Sequence, residues 1–156
     1  MASILEIMLK RILSGIGSFL DKKKEYGTSI VRYGVSLVFL WFGANQILDP
    51  SSFLGYLPSW AVNTVQMMHM QIITPGAFSL LLISLNGIFE VILGTALILG
   101  IFTRLAAFFL AAHLAMISFT VGYNEIGVRD FGLAMATFSL VLSKPDPLTL
   151  DKKLKR

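Results

Sequence analysis

The sequence has no cysteine in its 156 residues. That excludes a disulfide framework, a thiolate zinc site, a Cys-ligated iron–sulfur cluster and a CxxC redox motif. Charge is also scarce: 14% of residues are Asp, Glu, Lys or Arg, against about 25% in soluble domains. No internal repeat, Gly-rich phosphate loop or nucleotide fingerprint is present. What fills the space is apolar. Hydrophobic residues make up 55% of the chain, the mean hydropathy is +0.75, and 12% of residues are aromatic. The first two values exclude an ordinary soluble domain, and the third excludes a disordered chain.

Four apolar runs approach the roughly 20 residues that span a hydrocarbon core. They cover about 29–48, 77–102, 105–123 and 128–143. In lipid an open strand would leave backbone groups unpaired, so the expected fold is an all-α integral membrane protein, a four-transmembrane-helix bundle over 28–144. Ahead of it, Ile4, Leu5, Met8, Ile12, Ile16, Phe19 and Leu20 recur at helical spacing. Glu6, Lys10 and Arg11 break the continuity that a signal peptide needs. Residues 1–24 therefore read as an amphipathic helix in the cytoplasmic interface, with a partner-facing helix as the alternative. Between the first two spans, 49–76 is rich in proline yet apolar, so it should fold back on the outer face. There Tyr56 and Trp60 would sit at the interface, and Asn63–Ile73 has the length for a short helix.

Twelve of the 13 Lys and Arg lie within 10–32, at Arg104 or within 144–156; Arg129 is the exception. By the positive-inside rule both termini are cytoplasmic. The net charge of +4 thus reflects topology and attraction to the lipid bilayer, and gives no reason to expect nucleic acid.

Phe39-Leu40-Trp41-Phe42-Gly43, Asp49-Pro50, Phe53–Trp60, Asn86-Gly87-Ile88-Phe89-Glu90 with Gly94, Thr103–Ala107 and Val128-Arg129-Asp130 follow one another in order. In that order and spacing the chain resembles the DoxX-like family of small bacterial and archaeal membrane proteins, over roughly 31–143. The resemblance implies a four-helix bundle in the cell membrane. It also implies a redox context, because relatives include membrane subunits of thiosulfate:quinone oxidoreductase. It therefore points to a subunit that handles a quinone or similar lipophilic molecule, with no covalently bound cofactor and with homo- or hetero-oligomeric partners. An autonomous enzyme is not expected. The alternatives are a non-catalytic anchor or assembly subunit and a small-solute carrier. One departure is Gln46, where the family often has lysine.

Glu90 carries the most information. A carboxylate amid apolar residues in a span costs at least about 2.5–3.5 kcal/mol, so it should face the protein and find a partner. Asn86 shares its face one turn earlier, and Gly87 and Gly94 would admit another helix closely. His113 stands at nearly the same depth on the antiparallel third span, within about 4–5 Å along the axis. Glu90 and His113 are the candidate proton-handling pair. The alternatives are an interhelical clamp for Glu90 and a single hydrogen bond for His113. Trp41, Asn45 and Gln46 at the outer end of the first span could ring a ligand pocket with Asn86, Arg129 and Asp130. Arg32 and Arg104 read as headgroup anchors, although Arg32 is deep enough to reach a carboxylate. His69 is too far out to pair with His113 around a midplane haem. A metal on His69 with Met67, Met68 or Met70 is weaker than simple packing of those methionines, so no metal is expected.

Overall fold

The computed structural model describes residues 4–57 and 75–154. The short helix expected at Asn63–Ile73, interfacial Trp60 and the methionines around His69 lie outside the described residues. The remainder is helical, with no strand among the described residues. The helices are α1 Ile4–Lys23, α2 Gly27–Leu48, α3 Pro75–Leu99, α4 Thr103–Val121, α5 Glu125–Leu142 and a short α6 Leu150–Leu154. Single 3-10 segments, Lys24–Tyr26 and Pro50–Tyr56, lead into and out of α2.

Among the described residues, three helical stretches are long and apolar enough to cross a membrane: Ile4–Leu48, Gly76–Leu99 and Thr103–Val121. Helix α5 falls short of them because Glu125, Arg129 and Asp130 all lie within its first six residues. Its remaining 12 residues rise only about 18 Å.

Local chemistry explains where the helices stop. The second apolar run continues to Phe102, but α3 ends at Leu99 because Gly100 takes a left-handed φ of 70°. Glycine does so without steric cost, and a Cβ there would lie 2.7 Å from Thr149 Cα. At the other end of α4, Gly122 is also left-handed, at φ 85°. Asn124 then caps α5, its side-chain oxygen accepting from the amides of Ile126 and Gly127.

The helices pack as two antiparallel pairs, α2 with α3 and α4 with α5, joined more lightly through α3–α4 and α2–α5. The core between them is apolar: Val35, Phe39, Leu97, Ala106, Ala107, Leu110, Leu114, Ala134 and Leu140. Small alanines on α4 allow this closeness. Helix α1 is different in kind. It has no buried residue, and Ile4, Leu5, Met8, Ile12, Ile16, Phe19 and Leu20 are all more than half exposed.

The end of the bundle that carries the termini is closed by a clasp. Arg32 is 0% exposed, so it is no headgroup anchor. Its Nε donates to Asp146 Oδ2 at 2.9 Å. Its Nη1 donates to the carbonyls of Leu97 and Ile98 at 2.8 and 2.5 Å, two of the acceptors that α3 leaves open at its C-terminus. Asp146 also accepts from Ser29 Oγ and the Leu148 amide. Burial works against its charge, yet the hydrogen bonds from Arg32, Ser29 and Leu148 hold its carboxyl below the usual aspartate range. Asp151 accepts from the amides of Phe102 and Thr103 at 2.9 and 2.8 Å, capping the start of α4. Residues 146–151 are therefore part of the fold. Arg104 reaches the same region, with Nη2 donating to the Ser143 carbonyl at 3.1 Å.

Candidate functional site

The α2–α3 crossing is built on two glycines. A Cβ on Gly43 would lie 2.7 Å from the Gly87 carbonyl oxygen, and one on Gly87 would lie 2.6 Å from that of Gly43. No real side chain fits at either position. Gly94, by contrast, makes only ordinary contact with Leu40 and Phe39. Each crossing glycine is followed three residues later by a polar side chain, Gln46 on α2 and Glu90 on α3. Three residues is nearly one turn, so both point into the same seam.

There they meet. Glu90, 3% exposed, accepts from Asn86 Nδ2 at 3.0 Å on Oε1 and from Gln46 Nε2 at 3.3 Å on Oε2. Asn86 Nδ2 also donates to Gln46 Oε1 at 2.7 Å. From α4, His113 brings Nε2 to 3.4 Å from Glu90 Oε1. That nitrogen is buried and makes no hydrogen bond among the described residues. The edge of Phe89 packs on the imidazole, with centroids 5.2 Å apart. A carboxyl group with two amide donors is well held. The imidazole beside it keeps unused hydrogen-bonding capacity.

The outer ring expected from the sequence does not assemble. Gln46 leaves it for Glu90, because Gln46 and Gly43 share the face of α2 that meets α3. Trp41 lies on another face and is 69% exposed. Asn45 folds back on its own helix, Nδ2 donating to the Trp41 carbonyl at 2.7 Å. Arg129 and Asp130 bond each other at 2.8 Å, and the Arg129 guanidinium stands 5.6 Å from the Phe42 ring centroid. Asp49 is occupied locally: the hydroxyls of Ser51 and Ser52 donate to it and keep its carboxyl below the usual range. A shallow groove of about 550 Å³ on α4, lined by Ala112, Ala115, Met116, Phe119 and Thr120, contains none of the cluster residues. No group of three His, Asp or Glu able to hold a metal occurs among the described residues.

Sequence reasoning placed Gln46 at the rim and Glu90 at the middle, as members of two separate sites. The pairing was legible in one signal, the repeated glycine-x-x-polar spacing at Gly43–Gln46 and Gly87–Glu90. The Arg32–Asp146 clasp left no such trace.

All four cluster residues fall within 27–123, the stretch matched by the family model described as DoxX, which is well over half of the chain. The chain belongs to the DoxX family. No curated protein and no solved structure matches it.

Proposed function

We propose that this DoxX-family chain is the membrane subunit of a redox system, and that its Glu90–His113 centre moves protons to and from a quinone or similar lipophilic molecule. The observation that carries the reading is the state of His113. Its Nε2 is buried beside a carboxyl group that Asn86 and Gln46 already satisfy, and it has no hydrogen bond among the described residues. A purely structural cluster would have closed that gap, since an orphaned buried polar atom is costly. A quinone oxygen takes a proton as electrons arrive, and a neighbouring imidazole or carboxyl group is suited to supply it. The electrons come from a redox partner, because cysteine is absent and no cofactor motif is present.

In this reading α5 is the fourth span, with Arg129 and Asp130 at its outer end, and both termini are cytoplasmic. The exposed apolar residues of α1 lie in the inner interface, with Lys10, Arg11 and Lys22–Lys24 towards anionic headgroups. The membrane is the cell membrane of a bacterium or archaeon.

Purification in mild detergent with mass spectrometry of everything retained tests the function. A bound quinone, lost or weakened in His113→Ala, supports it. A tightly held larger complex with no lipophilic ligand favours a non-catalytic assembly subunit instead. Glu90→Gln keeps the shape and removes the titrating proton, so it should fold and lose quinone-linked activity. Full activity in that variant would overturn the proton-handling role.

A further inference from the structure

We infer that the Glu90–His113 centre exchanges protons with one side of the membrane only, the side that carries the 49–57 and 122–124 connections. The inference rests on the proton-handling reading above, and it makes the centre directional.

The two routes out of the cluster differ sharply. Towards the termini, the core faces of the helices become continuous hydrocarbon. Leu97, Ala107 and Leu110 are 0% exposed, with Phe39 at 2% and Val35 at 4%. On α3 the only polar residue between Glu90 and Leu99 is Thr95, and it is turned to the outside. The two buried hydroxyls in this layer are both committed to their own helices. Ser36 Oγ donates to the Arg32 carbonyl at 2.7 Å and Thr137 Oγ1 to the Leu133 carbonyl at 2.8 Å. Beyond them stands the Arg32 guanidinium, fully buried and locked on Asp146 and two carbonyls. A proton on that route meets about two helical turns of α3 in which the buried side chains are hydrocarbon apart from those two self-bonded hydroxyls, and then a fixed positive charge.

Towards the connections the distance is short along α2, although α3 itself runs 15 residues further that way. Glu90 packs level with Gly43, five residues or about 7–8 Å from the end of α2. The groups on the way are polar: Gln46 lies two residues from that end, and Asn86 is only half-buried. Both already bond Glu90, so the polar side chains next to the carboxyl group lie on the side of that end of α2. The groups facing Glu90 are Gln46 from α2, Asn86 from its own helix and His113 from α4. The nearest charged residues of α5, Arg129 and Asp130, are paired with each other. His113 is therefore the single titratable partner facing Glu90 among the described residues.

The consequence concerns where protons appear. A quinol oxidised at this centre gives its electrons to the redox partner and releases its protons on the connection side, and a quinone reduced by that partner draws its protons from that side.

The test uses the full chain in sealed vesicles of one orientation, selected through an introduced Tyr123→Cys, a position 99% exposed on the connection side. No native cysteine competes. Dicyclohexylcarbodiimide crosses membranes and modifies carboxyl groups that are protonated in apolar surroundings. Mass spectrometry of the peptide carrying Glu90 then reports protonation, with Glu90→Gln as the blank. Raising the pH on the connection side by about two units should lower modification several-fold, and the same change on the terminal side should leave it unaltered. Modification that follows the terminal side, both sides or neither overturns the inference. The redox reading fails separately, by a Glu90→Gln protein with full quinone-linked activity.

Discussion

Two buried charged residues lie at different depths in this bundle, and they are treated in opposite ways. Arg32 is 0% exposed and has a carboxylate, two carbonyls and the Tyr33 ring around it. Its donors are used, and the chain end is folded over to supply the acceptor. Glu90 is 3% exposed and is held by two neutral amides, with an imidazole nitrogen nearby that has no hydrogen bond among the described residues. The Arg32 guanidinium is held by ionic and carbonyl partners, whereas the Glu90 carboxyl is held by neutral amides alone beside an imidazole.

The sharpest way to break the comparison is to remove one partner of the saturated pair. Asp146→Ala leaves an uncompensated buried guanidinium and should cost about 3–5 kcal/mol, read as a lowered unfolding midpoint in detergent. Acid should do the same to the intact protein. The Asp146 carboxyl is held below its ordinary value of 3.8, so its contribution is present above that pH and drains away as the pH falls through it. A midpoint unchanged by Asp146→Ala would mean that the clasp does not support the fold.

Next in size is the crossing that creates the Glu90 cluster. Gly87→Ala places a Cβ 2.6 Å from the Gly43 carbonyl oxygen, so α2 and α3 must separate, at about 1–3 kcal/mol. Gln46 should then lose reach to Glu90, and carbodiimide labelling of Glu90 should fall as water reaches the carboxyl group. If helix separation leaves labelling unaltered, the glycines do not position the site.

Smaller still is Glu90 itself. Glu90→Leu removes the interhelical hydrogen bonds and should destabilise by about 1–2 kcal/mol, whereas Glu90→Gln should stay close to the parent in stability. A Gln variant as unstable as the Leu variant would place the residue with Arg32, as architecture. The smallest effect is expected at Arg129, whose side chain is 57% exposed. Arg129→Gln should change stability by no more than about 1 kcal/mol, measured in the same unfolding assay.

Much of the cluster could be read from the chain. Glu90 announces itself by its cost in an apolar span, Asn86 by its position one turn earlier, and His113 by arithmetic across the tight turn at 100–102. Gln46 lies two residues from the outer end of the first apolar run, and that run alone puts it at the rim. The structure sets the outer end of α2 against the middle of α3. The missing information was the relative slide of two helices, which the Gly43–Gly87 contact fixes.

Sequence alone determined the solvent, the secondary structure and the cost of each polar residue. Those follow from composition, hydrophobic run length and local backbone chemistry, all of which act within a few residues. Tertiary structure decided which polar groups share a partner. Arg32 and Asp146 are 114 positions apart in sequence, and no periodicity or spacing connects them. They meet because α3 ends at Leu99 and the chain after α5 returns beneath it.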